Sequence, residues 1–115
     1  MRKLAISLLV VATAVSAAPA FAGEARWTDR DYLQASRCLG LASSAALGEL
    51  PTTALAAQIK SQAFGRGSAI TDRGVSLRAE ALREGKTKDE ARKAKLLAER
   101  DGVCKAFLTA QVAAS

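Results

Sequence analysis

The chain contains no histidine, so it lacks the usual general base and the commonest nitrogen ligand for a transition metal. Its two cysteines, Cys38 and Cys104, are too few and too far apart for a thiolate cluster or a C-x-x-C redox pair. Aromatic residues make up 4% of the sequence, and isoleucine and valine are scarce outside the first 22 residues. That scarcity argues against a sheet, whereas the abundance of alanine and leucine with lysine, arginine and glutamate favours helix throughout.

Other absences narrow the chemistry. The serines stand in no nucleophile elbow and in no S-x-x-K pattern. Gly65-Arg66-Gly67-Ser68 follows no strand and lacks the Lys-Ser/Thr of a phosphate loop, so it reads as a turn between helices, with Arg66 at its tip open to a partner. The paired acids Glu80/Glu84 and Asp89/Glu90 are explained by helix-surface pairing with Arg78 and Arg83 and by a helix start. No block of one charge sign occurs. Basic residues alternate with acids, which argues against a nucleic-acid interface. There is no internal repeat.

One long apolar run is present, and it opens the chain. Arg2 and Lys3 precede an uncharged stretch from Leu4 to Ala18, Pro19 interrupts it, and Ala20-Phe21-Ala22 places small residues where a signal peptidase reads them. The run is short for a bilayer span, which needs about 20 apolar residues. Residues 1–22 are therefore expected to be a signal peptide, cleaved between Ala22 and Gly23. No cysteine follows for lipid attachment and no twin arginine precedes, so the pattern fits Sec export to the periplasm, or secretion. Residues 23–115 then form a single domain. Of the 17 basic residues Arg2 and Lys3 leave with the leader, so 15 face 11 acids, a net charge of +4. A mildly basic surface favours acidic proteins or anionic surfaces.

The spacing predicts a small four-helix up-down bundle, all-α, with helices over about 28–47, 51–64, 69–84 and 88–112. Thr28 is placed to cap the first, with Asp29 and Asp31 at its positive end. Small residues along that helix imply close approach of a neighbour. Pro51 suits the first turn of the second helix. Gly85 is the expected left-handed stop of the third. Thr87-Lys88-Asp89-Glu90 reads as a capping box opening a long fourth helix whose buried faces include Leu96, Val103, Phe107 and Ala110.

In such a bundle the first and last helices are antiparallel neighbours. Cys38 lies ten residues beyond Thr28, and Cys104 eight before Val112. At ~1.5 Å per residue both sit about 12–15 Å from the same end. In an oxidising compartment they are expected to form a disulfide, closing a loop whose entropy is worth about 4 kcal/mol.

The concentration of Lys86, Lys88, Arg92, Lys93 and Lys95 is the expected electrostatic part of any partner surface. Trp27 either staples the first helix or serves as an exposed anchor for that partner. The leading expectation is a non-enzymatic periplasmic interaction protein: an inhibitor, immunity-type or accessory factor acting by surface contact on another envelope protein. No cofactor or metal is called for. The general outline is loosely similar to small acid-stress chaperones of the periplasm. That resemblance is one of architecture alone, without a shared motif, and carries no function across; the alternative expectation is a periplasmic chaperone or stress protein that exposes its leucine and alanine faces when loosened. An enzyme is the third reading, with no motif to support it.

Overall fold

The computed structural model describes residues 26–114, with side chains to Thr109. The expected leader, residues 1–22, and the expected cleavage point between Ala22 and Gly23 lie outside the described residues. Among the described residues the regular structure is entirely helical, in five elements: α1 Asp29–Ser43, α2 Thr53–Gln62, α3 Ser68–Gly85, α4 Glu90–Asp101 and α5 Lys105–Ala114.

The centre is α1. Ala35, Ser36, Cys38, Leu39, Gly40, Leu41 and Ala42 are all buried, so the second half of the helix is enclosed by its neighbours, with Arg37 and Ser43 only partly covered. It starts where expected. Thr28 Oγ1 accepts from the Asp31 amide at 3.1 Å and Asp31 returns the bond to the Thr28 amide at 3.3 Å, a complete capping box. It ends at Ser43, four residues before the expected boundary, and a turn follows to Gly48, whose φ of +89° suits a residue without a side chain.

The closest packing is between α1 and α3. Gly74 meets Tyr32 and Ser36, Gly40 meets Arg78 and Ala81, and Gly85 meets Ser44. The numbers rise together, so the two helices run in the same direction. A Cβ at Gly40 would lie 2.8 Å from that of Ala81, and one at Gly85 would lie 2.5 Å from Ser44 Oγ. Such approach is open to glycine alone. Gly85 is thus a buried contact inside α3 and not the left-handed stop expected. Its side chain is absent because Ser44 occupies the space, and Lys86 caps the helix instead. The serines in this seam bond locally: Ser36 Oγ donates to Tyr32 O at 2.9 Å, and Ser44 Oγ accepts from the Leu47 amide at 3.3 Å.

Two apolar clusters flank α1. Trp27, Tyr32, Ala35 and Leu39 pack on Leu55 of α2, while Cys38, Leu41 and Leu47 pack with Ala81, Leu96 and Cys104. Phe107 and Leu108 border both. The Cys38–Cys104 disulfide is present, with Cα atoms 5.4 Å apart and both residues buried.

The expected four-helix layout requires correction at the C-terminal end. The single helix over 88–112 is divided at Gly102-Val103-Cys104, just where Cys104 is tied to Cys38. Gly102 has low helix propensity, and a Cβ there would lie 2.9 Å from the Ala98 carbonyl. The elbow turns Val103 outward, 53% exposed, where an unbroken helix would have buried it. The start of α4 differs too. Asp89 is the cap, accepting from the Ala91 amide at 3.0 Å, while Thr87 Oγ1 accepts from the Asp89 amide at 3.2 Å. Asp reaches the first free amides with one fewer residue than the Thr87 box would need. Pro51 stands two residues before α2, and Thr52 takes the cap position.

Candidate functional site

A cleft of about 450 Å³ lies where α3 turns into α4 and is lined by Glu80, Arg83, Glu84, Lys86, Thr87 and Arg92. Local sequence positions these groups. Glu80, Arg83 and Glu84 fall three and four residues apart, on neighbouring positions of one α3 face. Lys86 and Thr87 form the short connection, and Arg92 is on the first turn of α4.

Arg37 organises the electrostatics from behind. Its guanidinium bonds Glu99 through Nε at 2.6 Å and Nη2 at 3.1 Å, and its Nη2 lies 2.8 Å from Glu84 Oε2. The hydrogen bond it donates to Glu99 is the main reason its pKa is raised above the ordinary arginine value; partial burial opposes the rise, and Glu84 adds to it. Arg37 is therefore a permanent cation joining α1 to α3 and α4. Glu80 is matched in turn by Arg73 at 3.2 Å.

Both carboxylates of the cleft thus have arginine partners outside its lining, while its own cations are exposed to solvent. Arg92 is 57% exposed and only 3.8 Å from Glu84 Oε1, a loose pairing. Among the described residues, Arg83 and Lys86 have no ion pair. The cleft as a whole presents N–H donors to the exterior. It suits recognition of carboxylate or phosphate groups, with arginine supplying planar forks and lysine a point charge.

The structure brings Lys86 and Arg92 together on this cleft. Lys88, Lys93 and Lys95 lie on adjoining surface without lining it, and Lys93 is half-buried. Trp27 does not belong to a contact surface. It is 6% exposed, its ring packs edge-on to Phe107 at 5.4 Å, and its amide donates to Gln62 Oε1 at 3.0 Å. Arg66, expected open at the tip of its turn, is folded inward with its side chain 3% exposed. It donates to Asp29 Oδ1 at 2.6 Å, Trp27 O at 2.5 Å and Gln62 O at 2.7 Å, with its guanidinium 4.9 Å from the Tyr32 ring centroid. The arginine clasps the start of α1 to the end of α2, a structural use.

Sequence reasoning missed Arg37 as the organiser of the cleft. The signal was there: Arg37 is the only charged residue between Asp31 and Glu49, and a lone charge on an enclosed helix must find partners. Arg83, adjacent in sequence to the expected surface, belongs to it in space.

No group of three or more metal-binding side chains occurs among the described residues. No helix among them is long and apolar enough to cross a membrane. Compared with known protein families, curated proteins and solved structures, the chain matches none.

Proposed function

We propose that this is an exported, non-enzymatic interaction protein of the periplasm, an inhibitor, immunity-type or accessory factor, which engages an acidic partner protein through the α3–α4 cleft. The observation that carries this reading is the convergence of Arg83, Lys86 and Arg92 on one open cleft whose carboxylates are occupied by Arg37 and Arg73. Opposing charge of this kind accelerates encounter and sets orientation. The leader-like residues 1–22 support export, and the Cys38–Cys104 bond suits an oxidising compartment.

The test is a pull-down from periplasmic extract with the disulfide intact, followed by binding kinetics on the captured partner. Charge reversal at Lys86 and Arg92 should slow association at least tenfold and flatten its salt dependence, with dissociation little changed. Equal rates and equal salt response in that double variant would remove the cleft from the interface.

A second reading, a periplasmic chaperone or stress protein, draws on Phe64, Val75 and Val103, which are 74%, 70% and 53% exposed. Suppression of client aggregation that persists in the charge-reversed variant would favour it.

A further inference from the structure

A second cleft, of about 310 Å³, lies at the elbow between α4 and α5, beside the loop that follows α1. Leu50 and Leu108 supply its apolar wall, and Arg100, Asp101, Lys105 and Thr109 its polar rim. It shares no residue with the α3–α4 cleft.

Arg100 is the unusual member. Its side chain is only 10% exposed. Nη1 donates to the carbonyls of Leu47 at 3.1 Å and Gly48 at 2.6 Å, which fixes the guanidinium against the loop after α1. Nε is buried and has no hydrogen-bond partner, and the nearest carboxylate oxygen, Asp101 Oδ1, stands 3.8 Å away. A buried, unsatisfied N–H on a charged group is costly, and structures keep few of them. Asp101 does not close the gap because its side chain is 73% exposed and directed largely to water.

Two further features set the sign and the class of what fits. The ten-residue α5 begins at Lys105, whose exposed ammonium adds positive charge to the rim, while the Lys105 and Leu108 amides already donate to Gly102 O and Cys104 O. The Thr109 hydroxyl is already committed to the Lys105 carbonyl. Arg100 and Lys105 against Asp101 leave a rim charge of about +1 at neutral pH, which matches a monoanion better than a phosphate dianion. The leucine wall calls for hydrocarbon beside the charge, and the volume lies at the small end of ligand clefts.

We propose that this elbow is a binding site for a small monocarboxylic acid with a short apolar body. The carboxylate lies at the rim between the Arg100 guanidinium and the Lys105 ammonium, and the hydrocarbon lies against Leu50 and Leu108. The proposal is independent of the partner interaction assigned to the α3–α4 cleft.

Amide-resolved NMR titration of the disulfide-bonded protein tests it, with hexanoate, hexanamide and inorganic phosphate as probes. Hexanoate should give saturable shifts at Leu50, Asp101 and Lys105, and hexanamide should bind at least tenfold more weakly. Lys105→Gln, at an exposed position, should weaken hexanoate about threefold or more. Asp101→Asn removes the competing carboxylate and should tighten it by a similar factor, a gain that a loss of folding cannot mimic. Equal responses to hexanoate and hexanamide, stronger binding of phosphate, or an Asp101→Asn variant with unchanged affinity would overturn the assignment.

Discussion

Against α3, the middle of α1 presents Ser36, Gly40 and Ser44, and nothing longer than a serine hydroxyl separates the two backbones there. Against α4 and the elbow that follows it, the same helix presents Arg37 and Cys38, and the join is made by a covalent bond to Cys104 and by a long charged side chain reaching Glu99. The first interface is set by hard-core repulsion: its geometry is fixed because any added atom collides. The second is set by attachment, and flexible side chains can absorb small displacements. One contact is therefore intolerant of added volume, the other of lost links. The two should fail in different ways.

The largest effect is expected at the attached interface. Cys38→Ala/Cys104→Ala frees the unfolded chain from a closed loop and should cost about 4 kcal/mol by the loop-entropy model. That is a large part of a small domain's stability, enough to lower Tm by tens of degrees. The helices themselves do not depend on the bond, so far-ultraviolet circular dichroism at low temperature should stay helical. Thermal melting of the double variant beside the oxidised parent gives both readings. A Tm within a few degrees of the parent would mean that Arg37, Arg100 and the leucine contacts hold α4 unaided.

Next is the intolerant interface. Gly40→Ala places a methyl group 2.8 Å from the Ala81 Cβ and against the Arg78 carbonyl, which is backbone and cannot rotate away. Overpacking of this kind costs about 3 kcal/mol, well above the ~1 kcal/mol that alanine gains over glycine in a helix. At Gly74 the nearest atoms are side-chain atoms of Ser36 and Tyr32 at 3.0 Å, which can shift by tenths of an ångström. Gly74→Ala should therefore lie within about 1 kcal/mol of the parent, since propensity offsets crowding. Denaturant unfolding of the pair ranks them. Equal losses would show that the seam is governed by something other than the Arg78 carbonyl.

This contrast also explains what was legible in the chain beforehand. The seam announces itself through small residues spaced along α1, and the all-helical character through composition; both are local properties. The disulfide was legible because only two thiols exist and helix lengths place them at one level. The elbow at Gly102 was not, because alanine, lysine and leucine on both sides favour a continuous helix, and the tie of Cys104 to Cys38 is a contact across 66 residues with no local signature. Gly85 was misread for a related reason: a glycine after a helical run resembles a stop, while its purpose is room for Ser44. Of the candidate cleft, Lys86 and Arg92 stood in the sequence as a basic concentration. The long-range pairing of Arg37 with Glu84 and Glu99, 47 and 62 residues away, has no local signature.

The smallest effect sharpens the comparison most, since it asks whether the elbow belongs to the chain or to the bond. In the oxidised protein Gly102→Ala gains helix propensity but sets a Cβ 2.9 Å from the Ala98 carbonyl, with Cys104 held in place. The two terms oppose, and stability should change by less than about 1 kcal/mol. In the Cys38→Ala/Cys104→Ala background the constraint is gone, α4 and α5 can join through residue 102, and the same substitution should add helical signal and recover stability by about 1 kcal/mol. The double-mutant cycle isolates this coupling. A coupling near zero, with no gain in helicity after the disulfide is removed, would show that Gly102 and Val103 bend the chain by themselves, and that the bond merely records an elbow already made.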